Sequence, residues 1–130
     1  MSQQKQSSAV DMARTYYNSE DADNFYFTIW GGEDIHVGLY ESASEPIADA
    51  SARTVDRMIG LMPALDENSK VLDVGSGYGG ACRHMAKKLP GKFVGLNLSE
   101  VENERGRQLN KEQGLDDRID IVDGSFEDLP

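Results

Sequence analysis

Residues 70–80 read KVLDVGSGYGG, a short apolar run that ends in an acid and is followed by a cluster of glycines. Apolar and β-branched residues bounded by glycine predict a buried strand that runs into a tight turn. Helical spacing follows, because Ala81, Met85 and Leu89 lie four residues apart on one helix face. This order predicts the first crossover of a nucleotide-binding α/β fold, in which the free N–H groups of the helix start face a ligand.

The glycines of this stretch fit two different patterns. Gly75, Gly77 and Gly80 satisfy G-x-G-x-x-G, the pattern of dinucleotide-binding turns. Gly75, Gly77 and Gly79 satisfy G-x-G-x-G, which here follows Asp73. In both cases glycine is needed because the turn is tight and a ligand approaches bare backbone.

Two polar positions favour the second pattern. Asp73 lies on the strand before Gly75, where a carboxylate can hold a polar or cationic ligand group. The next strand ends in Asn97, whereas a dinucleotide site has Asp or Glu there for the ribose hydroxyls. The stretch from Asp73 to Gly79 resembles motif I of the class I S-adenosylmethionine-dependent methyltransferases. A dinucleotide site, or glycines that only let helix and strand pack closely, are the alternatives.

Strands and helices alternate after this stretch. Apolar spacing predicts helices over 8–18, 21–30, 46–62, 81–88 and 99–113, and further strands over 92–98 and 118–123. Such alternation gives parallel strands with right-handed crossovers. The expected fold class is therefore α/β, a partial Rossmann-like class I methyltransferase sheet of about three parallel strands with an N-terminal helical cap.

Three regions are expected along the chain. Residues 1–6 are expected to be a disordered tail, residues 7–62 a helical cap and lid segment, and residues 63–130 a Rossmann-like domain that binds S-adenosylmethionine. That domain is expected to be truncated after its third strand, because a doubly wound sheet usually has more strands.

Ligands of such sheets bind beyond the carboxyl ends of the strands. The resemblance implies that each of the first three loops holds one part of S-adenosylmethionine, the expected cofactor. The amino-acid end falls to Asp73, Gly75, Ser76, Gly77 and Gly79, the ribose to Asn97 and Leu98, and the adenine to Gly124, Ser125 and Phe126.

Two of these loops depart from the family pattern. Asn97 stands where the family commonly has an acid, and residues 124–126 stand where it commonly has Gly-Asp-Ala. Asn97 still offers a donor and an acceptor to ribose hydroxyls. Ser125 is within reach of the adenine amine in this scheme, and Phe126 packs on the ring. The alternatives are an Asn97 that only shapes the strand-to-helix turn and a Phe126 that belongs to the core.

Residues 25–40, FYFTIWGGEDIHVGLY, resemble the lid segment of small-molecule methyltransferases. Together with residues 94–103, VGLNLSEVEN, they resemble the N-methyltransferases that act on sarcosine and dimethylglycine in glycine betaine synthesis. The resemblance implies a small-molecule amine as substrate. Other acceptors remain open, namely phosphoethanolamine or a quinol or tocopherol ring. Outside this class, the alternatives are an NAD-binding oxidoreductase fragment and a module that binds the donor without turnover.

Three lid residues are candidate catalytic residues. Tyr26 and Trp30 offer aromatic faces, which attract the cationic sulfonium and the ammonium product. His36 is a candidate for orienting the donor or for accepting a proton from the amine. The alternative for the two aromatic side chains is the core of a helical cap, and the alternative for His36 is a structural or donor-contacting role. Lid closure would exclude water and align the reacting atoms.

Composition excludes several other classes. The 130 residues carry a net charge of −10, which argues against nucleic acid and anionic membrane surfaces as partners. No run approaches the length of a membrane span, and the polar N-terminus does not read as a signal peptide. The single cysteine, Cys82, fits a reducing cytoplasm, and no metal site is expected. The charged positions within 100–107 are expected to form a solvated helix face. The oligomeric state is left open.

Overall fold

The computed structural model describes residues 7–31 and 33–129. Its elements, in chain order, are α1 (Ser8–Tyr17), α2 (Glu20–Thr28), α3 (Ile47–Ile59), β1 (Lys70–Val74), α4 (Gly80–Lys88), β2 (Lys92–Asn97), α5 (Glu100–Glu112), β3 (Ile119–Asp123) and a single 3₁₀ turn (Phe126–Asp128). The expected disordered tail at 1–6 lies outside the described residues. Within them, no helix has the length and apolar character that crossing a membrane requires.

The three strands form one parallel sheet in the order β1-β2-β3. Val74 pairs with Leu96, and Leu96 pairs with Val122, so the carboxyl ends of all three strands lie at one edge. This confirms the α/β class and the three parallel strands. It also brings the three loops with the expected ligand-binding residues to the same place.

One face of the sheet carries the core. Phe93, Ile119 and Ile121 are buried there against Ala81 and Met85 of α4. On the opposite face Leu72, Val74 and Val122 remain about half exposed, at 50%, 46% and 45%. Parallel sheets are usually covered on both faces. In the described part of the chain, α1 lies over Leu96 on this opposite face but leaves Leu72, Val74 and Val122 about half exposed.

Serine residues begin three of the helices. Ser7, Ser19 and Ser99 each accept a hydrogen bond from a backbone amide of the first turn, which satisfies a donor that the helix itself leaves free. The second helix therefore begins at Glu20, one residue before the expected position 21. The third helix ends at Ile59, short of the expected 62, because Gly60 closes its last turn.

The expectation of a solvated charged face on α5 is wrong at Glu102. This side chain is 2% exposed and accepts a hydrogen bond from Nδ2 of Asn97 at 2.9 Å. Ser99 Oγ accepts from the Glu102 amide at 3.2 Å, as a capping box requires. The Glu102 carboxylate does not complete the box, because it turns toward β2 instead.

A buried carboxylate joins the cap to the rest of the fold. Asp23, 7% exposed on α2, accepts hydrogen bonds from Arg105 on α5, at 2.9 and 2.6 Å. It also accepts one at 3.0 Å from the hydroxyl of Tyr78, which lies in the glycine turn. The Arg105 guanidinium lies 4.3 Å from the ring centroid of Phe27. These contacts fix α2 against both the glycine turn and α5.

The single cysteine is expected to be unreactive in the folded protein. Cys82 is fully buried behind the glycine turn, and burial raises the pKa of its thiol to about 12. Because the thiolate is the reactive form, iodoacetamide should not label the native chain but should label it in denaturant. Mass spectrometry over a time course measures this. Labelling at equal rates in both conditions would contradict the placement of Cys82.

Candidate functional site

A cavity of about 320 Å³ opens at the carboxyl ends of the strands. All three loops beyond β1, β2 and β3 contribute to it, and one face of α1 forms a further wall. The lining residues from the loops and strand ends are Gly75, Leu96, Asn97, Leu98, Gly124, Ser125, Phe126 and Glu127, and those from α1 are Ala9, Val10, Ala13 and Tyr17. Six of the residues expected to bind a cofactor therefore line one cavity.

The glycine turn presents backbone to this cavity. Gly75 has φ of 74°, a conformation that side chains rarely permit, and a Cβ placed on it would meet no atom within 4 Å. The amides of Gly75 and Ser76 both donate to the carbonyl of Leu96, at 2.7 and 3.1 Å, so the turn is tied to β2. Open space over a fixed bare backbone is what close approach of a ligand requires.

Four expected cofactor residues lie outside the cavity lining. Gly77 packs under Ile35 of the lid segment, and Gly79 precedes the first turn of α4 with φ of 78°. Ser76 is 7% exposed and lies against Gly95 of β2. The Asp73 carboxylate lies on the α4 side of the sheet, 3.9 Å from Sγ of Cys82, and burial raises its pKa.

The sequence placed α1 in the helical cap but left open whether its apolar face meets a core or a ligand. Val10, Ala13 and Tyr17 show helical spacing, but spacing alone does not tell whether that face meets a core or a ligand. Helix α1 is held through its polar residues: Arg14 pairs with Glu100, and Asn18 donates to Glu100 at 2.8 Å. Ser99 Oγ also donates to the carbonyl of Tyr17, at 3.1 Å.

Aromatic rings connect the cavity to the lid. Tyr17 stacks on Tyr26 with their ring centroids 6.1 Å apart, and Tyr26 meets Trp30 at 6.0 Å. Nε1 of Trp30 donates to the carbonyl of His36 at 3.1 Å. The structure thus brings together the three lid residues singled out as catalytic candidates, with Tyr17 as the link to the cavity.

His36 is held on several sides. Its amide donates to Oδ1 of Asp34 at 2.9 Å, its ring Nδ1 also bonds to the Asp34 carboxylate, and its carbonyl accepts from Ser51 at 2.9 Å. The hydrogen bond to Asp34 raises the pKa of the His36 imidazole, which partial burial opposes, and the charge of Asp73 raises it further. His36 therefore favours its protonated form more than a free histidine does. A protonated imidazole donates hydrogen bonds, which suits it to orienting an acceptor group.

The parallel sheet, the glycine turn and the cavity at the strand ends define an α/β fold of the class I S-adenosylmethionine-dependent methyltransferase type. A family model for mycolic acid cyclopropane synthetase matches residues 3–130. The chain belongs to this family.

Individual relatives indicate which kind of methyltransferase the chain is similar to. A sarcosine/dimethylglycine N-methyltransferase from Halorhodospira halochloris is 62% identical over 122 residues, which cover 94% of this chain and 44% of the relative. The chain thus spans less than half the length of that relative. A crystal structure of a protein assigned as a sarcosine dimethylglycine methyltransferase from Galdieria sulphuraria is 39% identical, with a TM-score of 0.75 over 88% of this chain and 44% of that one.

A more distant structure shares the fold alone. Geranyl diphosphate C-methyltransferase from Streptomyces coelicolor, solved with S-adenosyl-L-homocysteine, is 14% identical, with a TM-score of 0.80 over 95% of this chain and 51% of that one.

Proposed function

We propose that the protein is an S-adenosylmethionine-dependent N-methyltransferase that acts on sarcosine or dimethylglycine in glycine betaine synthesis. The observation that carries the proposal is the cavity to which all three strand ends contribute, with bare backbone at Gly75. The substrate class rests on the relative from Halorhodospira halochloris and on its high identity. In the proposed division, residues 7–62 form the cap and lid, and residues 63–130 form part of the donor-binding domain.

The residues of the cavity suit the parts of this donor. Gly75 would face its amino-acid end, Asn97 and Leu98 the ribose, and Gly124, Ser125 and Phe126 the adenine. When bound, the donor supplies an electrophilic methyl group. The chain binds and orients the donor and excludes water, which is most of what a displacement reaction requires. The expected cofactor residues outside the cavity lining would act indirectly, by fixing the conformation of the glycine turn; they are Asp73, Ser76, Gly77 and Gly79.

The lid supplies a surface for cations. Tyr26 and Trp30 present aromatic faces that attract a sulfonium or an ammonium group without offering a competing nucleophile. Burial raises the pKa of Tyr26 to about 12, so its hydroxyl stays protonated and does not compete as a phenolate. His36, held by Asp34, would orient the donor; its raised pKa favours this role over its other proposed role, accepting a proton from the amine.

An acceptor screen tests the proposed activity. The whole protein is incubated with labelled S-adenosylmethionine and, in separate reactions, with sarcosine, dimethylglycine, phosphoethanolamine and a tocopherol precursor. Methylated product from sarcosine or dimethylglycine alone supports the proposal. Product from another acceptor would identify that acceptor as the substrate instead. Calorimetric titration with S-adenosylhomocysteine and with NAD separates the remaining alternatives. Binding of NAD alone would indicate an oxidoreductase, and donor binding without any product would indicate a binding module.

The proposed partners and location follow from the same function. A small amine is the expected partner, and the cytoplasm is the proposed compartment. Cys82 is compatible with that compartment, because it is buried as a free thiol.

Phe126 offers a direct test of the adenine end. This residue is 64% exposed and lines the cavity, and stacking of a base on an aromatic ring is worth about 1–3 kcal/mol. Phe126→Ala is therefore expected to weaken S-adenosylhomocysteine binding by about tenfold or more in calorimetry. Leu129→Ala is the matched control, because Leu129 is similarly exposed, at 50%, but does not line the cavity. Equal affinities of the two variants for S-adenosylhomocysteine would show that Phe126 does not contact the ligand.

A further inference from the structure

Asn97 has no free hydrogen-bond donor for a ligand. It is the last residue of β2, lines the cavity and is 9% exposed. Its amide nitrogen donates to Oε2 of Glu102 at 2.9 Å and to Oδ1 of Asn103 at 3.0 Å. An amide nitrogen carries two hydrogens, so both are already used inside the protein.

The orientation of Asn97 is set by its neighbours. The side-chain nitrogen of Asn103 donates to the backbone carbonyl of Asn97 at 2.9 Å and to Oδ1 of Asp123 at 2.8 Å. A backbone carbonyl and a carboxylate only accept, so Asn103 must turn its nitrogen toward them. Its own oxygen then faces Asn97 and requires a donor. Asn97 therefore points its nitrogen inward, and the alternative amide orientation would set oxygen against oxygen.

The only side-chain group of Asn97 that remains available to a ligand in the cavity is its carbonyl oxygen. Within the described residues this oxygen accepts no hydrogen bond. It accepts but cannot donate, so a ligand group that binds there must be a donor, as a ribose hydroxyl is. A carboxylate at the end of the second strand of a nucleotide-binding sheet offers the ribose the same acceptor. The side chain at 97 is neutral, yet here it presents acceptor character alone.

Position 97 has no acidic side chain, but the acidic side chain of Glu102 lies next to it. Glu102 is 2% exposed, and its Oε1 has no partner among the described residues. Burial raises the pKa of the Glu102 carboxyl, the hydrogen bond from Asn97 opposes this rise, and the charge of Asp23 adds to it. A further carboxylate at position 97 would therefore be costly. An aspartate at 97 would set its oxygens against Oε2 of Glu102 and Oδ1 of Asn103. The amide at 97 and the acid at 102 are therefore matched to each other.

We propose that Glu102 and Asn103 are positioning residues that hold Asn97 as a hydrogen-bond acceptor for the ribose hydroxyls of the methyl donor. The identity of the ligand rests on the proposed function; the positioning of Asn97 does not. An Asn–Glu pair here does what a single acid does at the same strand end elsewhere.

The test exchanges the two groups. Asn97→Asp is expected to weaken S-adenosylhomocysteine binding to the whole protein by about tenfold or more, because like charges and acceptors then face each other. Adding Glu102→Gln should recover at least about threefold of that loss, since the amide introduced at position 102 can donate to the new carboxylate, while Oδ1 of Asn103 still faces it and keeps the recovery incomplete. Glu104→Gln is the control, because Glu104 is exposed on the same helix. An Asn97→Asp variant that binds as well as the unmodified protein, or a double variant that binds no better than Asn97→Asp, would overturn the proposal.

Ligand discrimination separates positioning from a merely structural role. The ratio of affinities for S-adenosylhomocysteine and its 2′-deoxy analogue should fall in Asn97→Asp and recover in the double variant. A purely structural defect would weaken both ligands equally, and that result would also overturn the proposal.

A measurement without ligand tests the positioning alone. In NMR spectra of the protein the side-chain amide hydrogens of Asn97 should exchange slowly with solvent, and Glu102→Leu should accelerate that exchange. Fast exchange in the unmodified protein would overturn the positioning. A failure to bind S-adenosylhomocysteine, with slow exchange intact, would instead overturn the proposed function and the ribose assignment with it.

Discussion

Gly80→Ala is expected to destabilise the fold by about 3 kcal/mol and to release the lid segment from α4. A Cβ on Gly80 would lie 2.2 Å from the carbonyl oxygen of Glu33 and 2.5 Å from the amide nitrogen of Asp34. These are backbone atoms, so no side-chain rotation relieves the overlap. Either the lid segment moves away or α4 shifts from the sheet.

The first of these movements has a consequence for two side chains. Glu33 binds Arg83, which is fully buried on α4, at 2.8 Å, and Asp34 holds His36. Displacement of the lid segment would leave the Arg83 guanidinium without its carboxylate, and it would move His36 away from Asp73, whose charge raises the His36 pKa. Urea denaturation measures the loss of stability, and an NMR titration of His36 reports the displacement.

Gly60→Ala is the matched control for this experiment. Gly60 follows α3 with φ of −63°, and a Cβ there would lie 3.5 Å from its nearest neighbour, an ordinary contact. The change should leave stability within about 0.5 kcal/mol of the unmodified protein. If Gly80→Ala proved as mild as Gly60→Ala, the contact between the lid segment and α4 would be refuted.

Asp23→Ala is expected to cost about 2 kcal/mol of stability and to loosen the cap. The change removes the carboxylate that binds Arg105 and Tyr78, while the Tyr78 hydroxyl keeps the Asp23 carbonyl as an acceptor at 3.1 Å. Arg105 is partly exposed and regains water, which limits the loss. Tyr78 lies in the glycine turn, so donor affinity should fall together with stability.

Two further variants sharpen this prediction. Asp21→Ala changes an exposed acid in the first turn of the same helix and should stay within about 0.5 kcal/mol. Asp23→Asn retains an acceptor for Tyr78 but loses the charge that faces Arg105, and should fall between the two. Chemical denaturation followed by circular dichroism gives the three values. The order would be contradicted if Asp21→Ala and Asp23→Ala had equal effects.

The sequence predicted the sheet and much of the cavity because their signals are local. A strand, a turn and a helix are each specified by neighbours in the chain, and the carboxyl ends of parallel strands meet at one edge. Gly75, Asn97 and Phe126 were therefore placed at a common edge, and the cavity lies there.

The remainder depends on how distant segments pack. Whether Tyr17 faces a core or a cavity is decided by the docking of α1 on the start of α5, which is far along the chain. Glu102 stands in a charged run that looks solvated, and its burial follows from a hydrogen bond with Asn97 on β2. Periodicity describes one element at a time, so it does not reveal a hydrogen-bond network that joins several.

The way α1 is attached has a consequence for the timing of ligand exchange. Val10 is the only buried residue of α1 among the described residues, and the helix is otherwise fastened by an exposed ion pair and a few hydrogen bonds. Exposed ion pairs contribute about 0.2–1 kcal/mol and weaken as salt screens them. The helix that lines the cavity is thus held by contacts that cost little to break. Residence time of the bound donor should be short, and should shorten further as ionic strength rises.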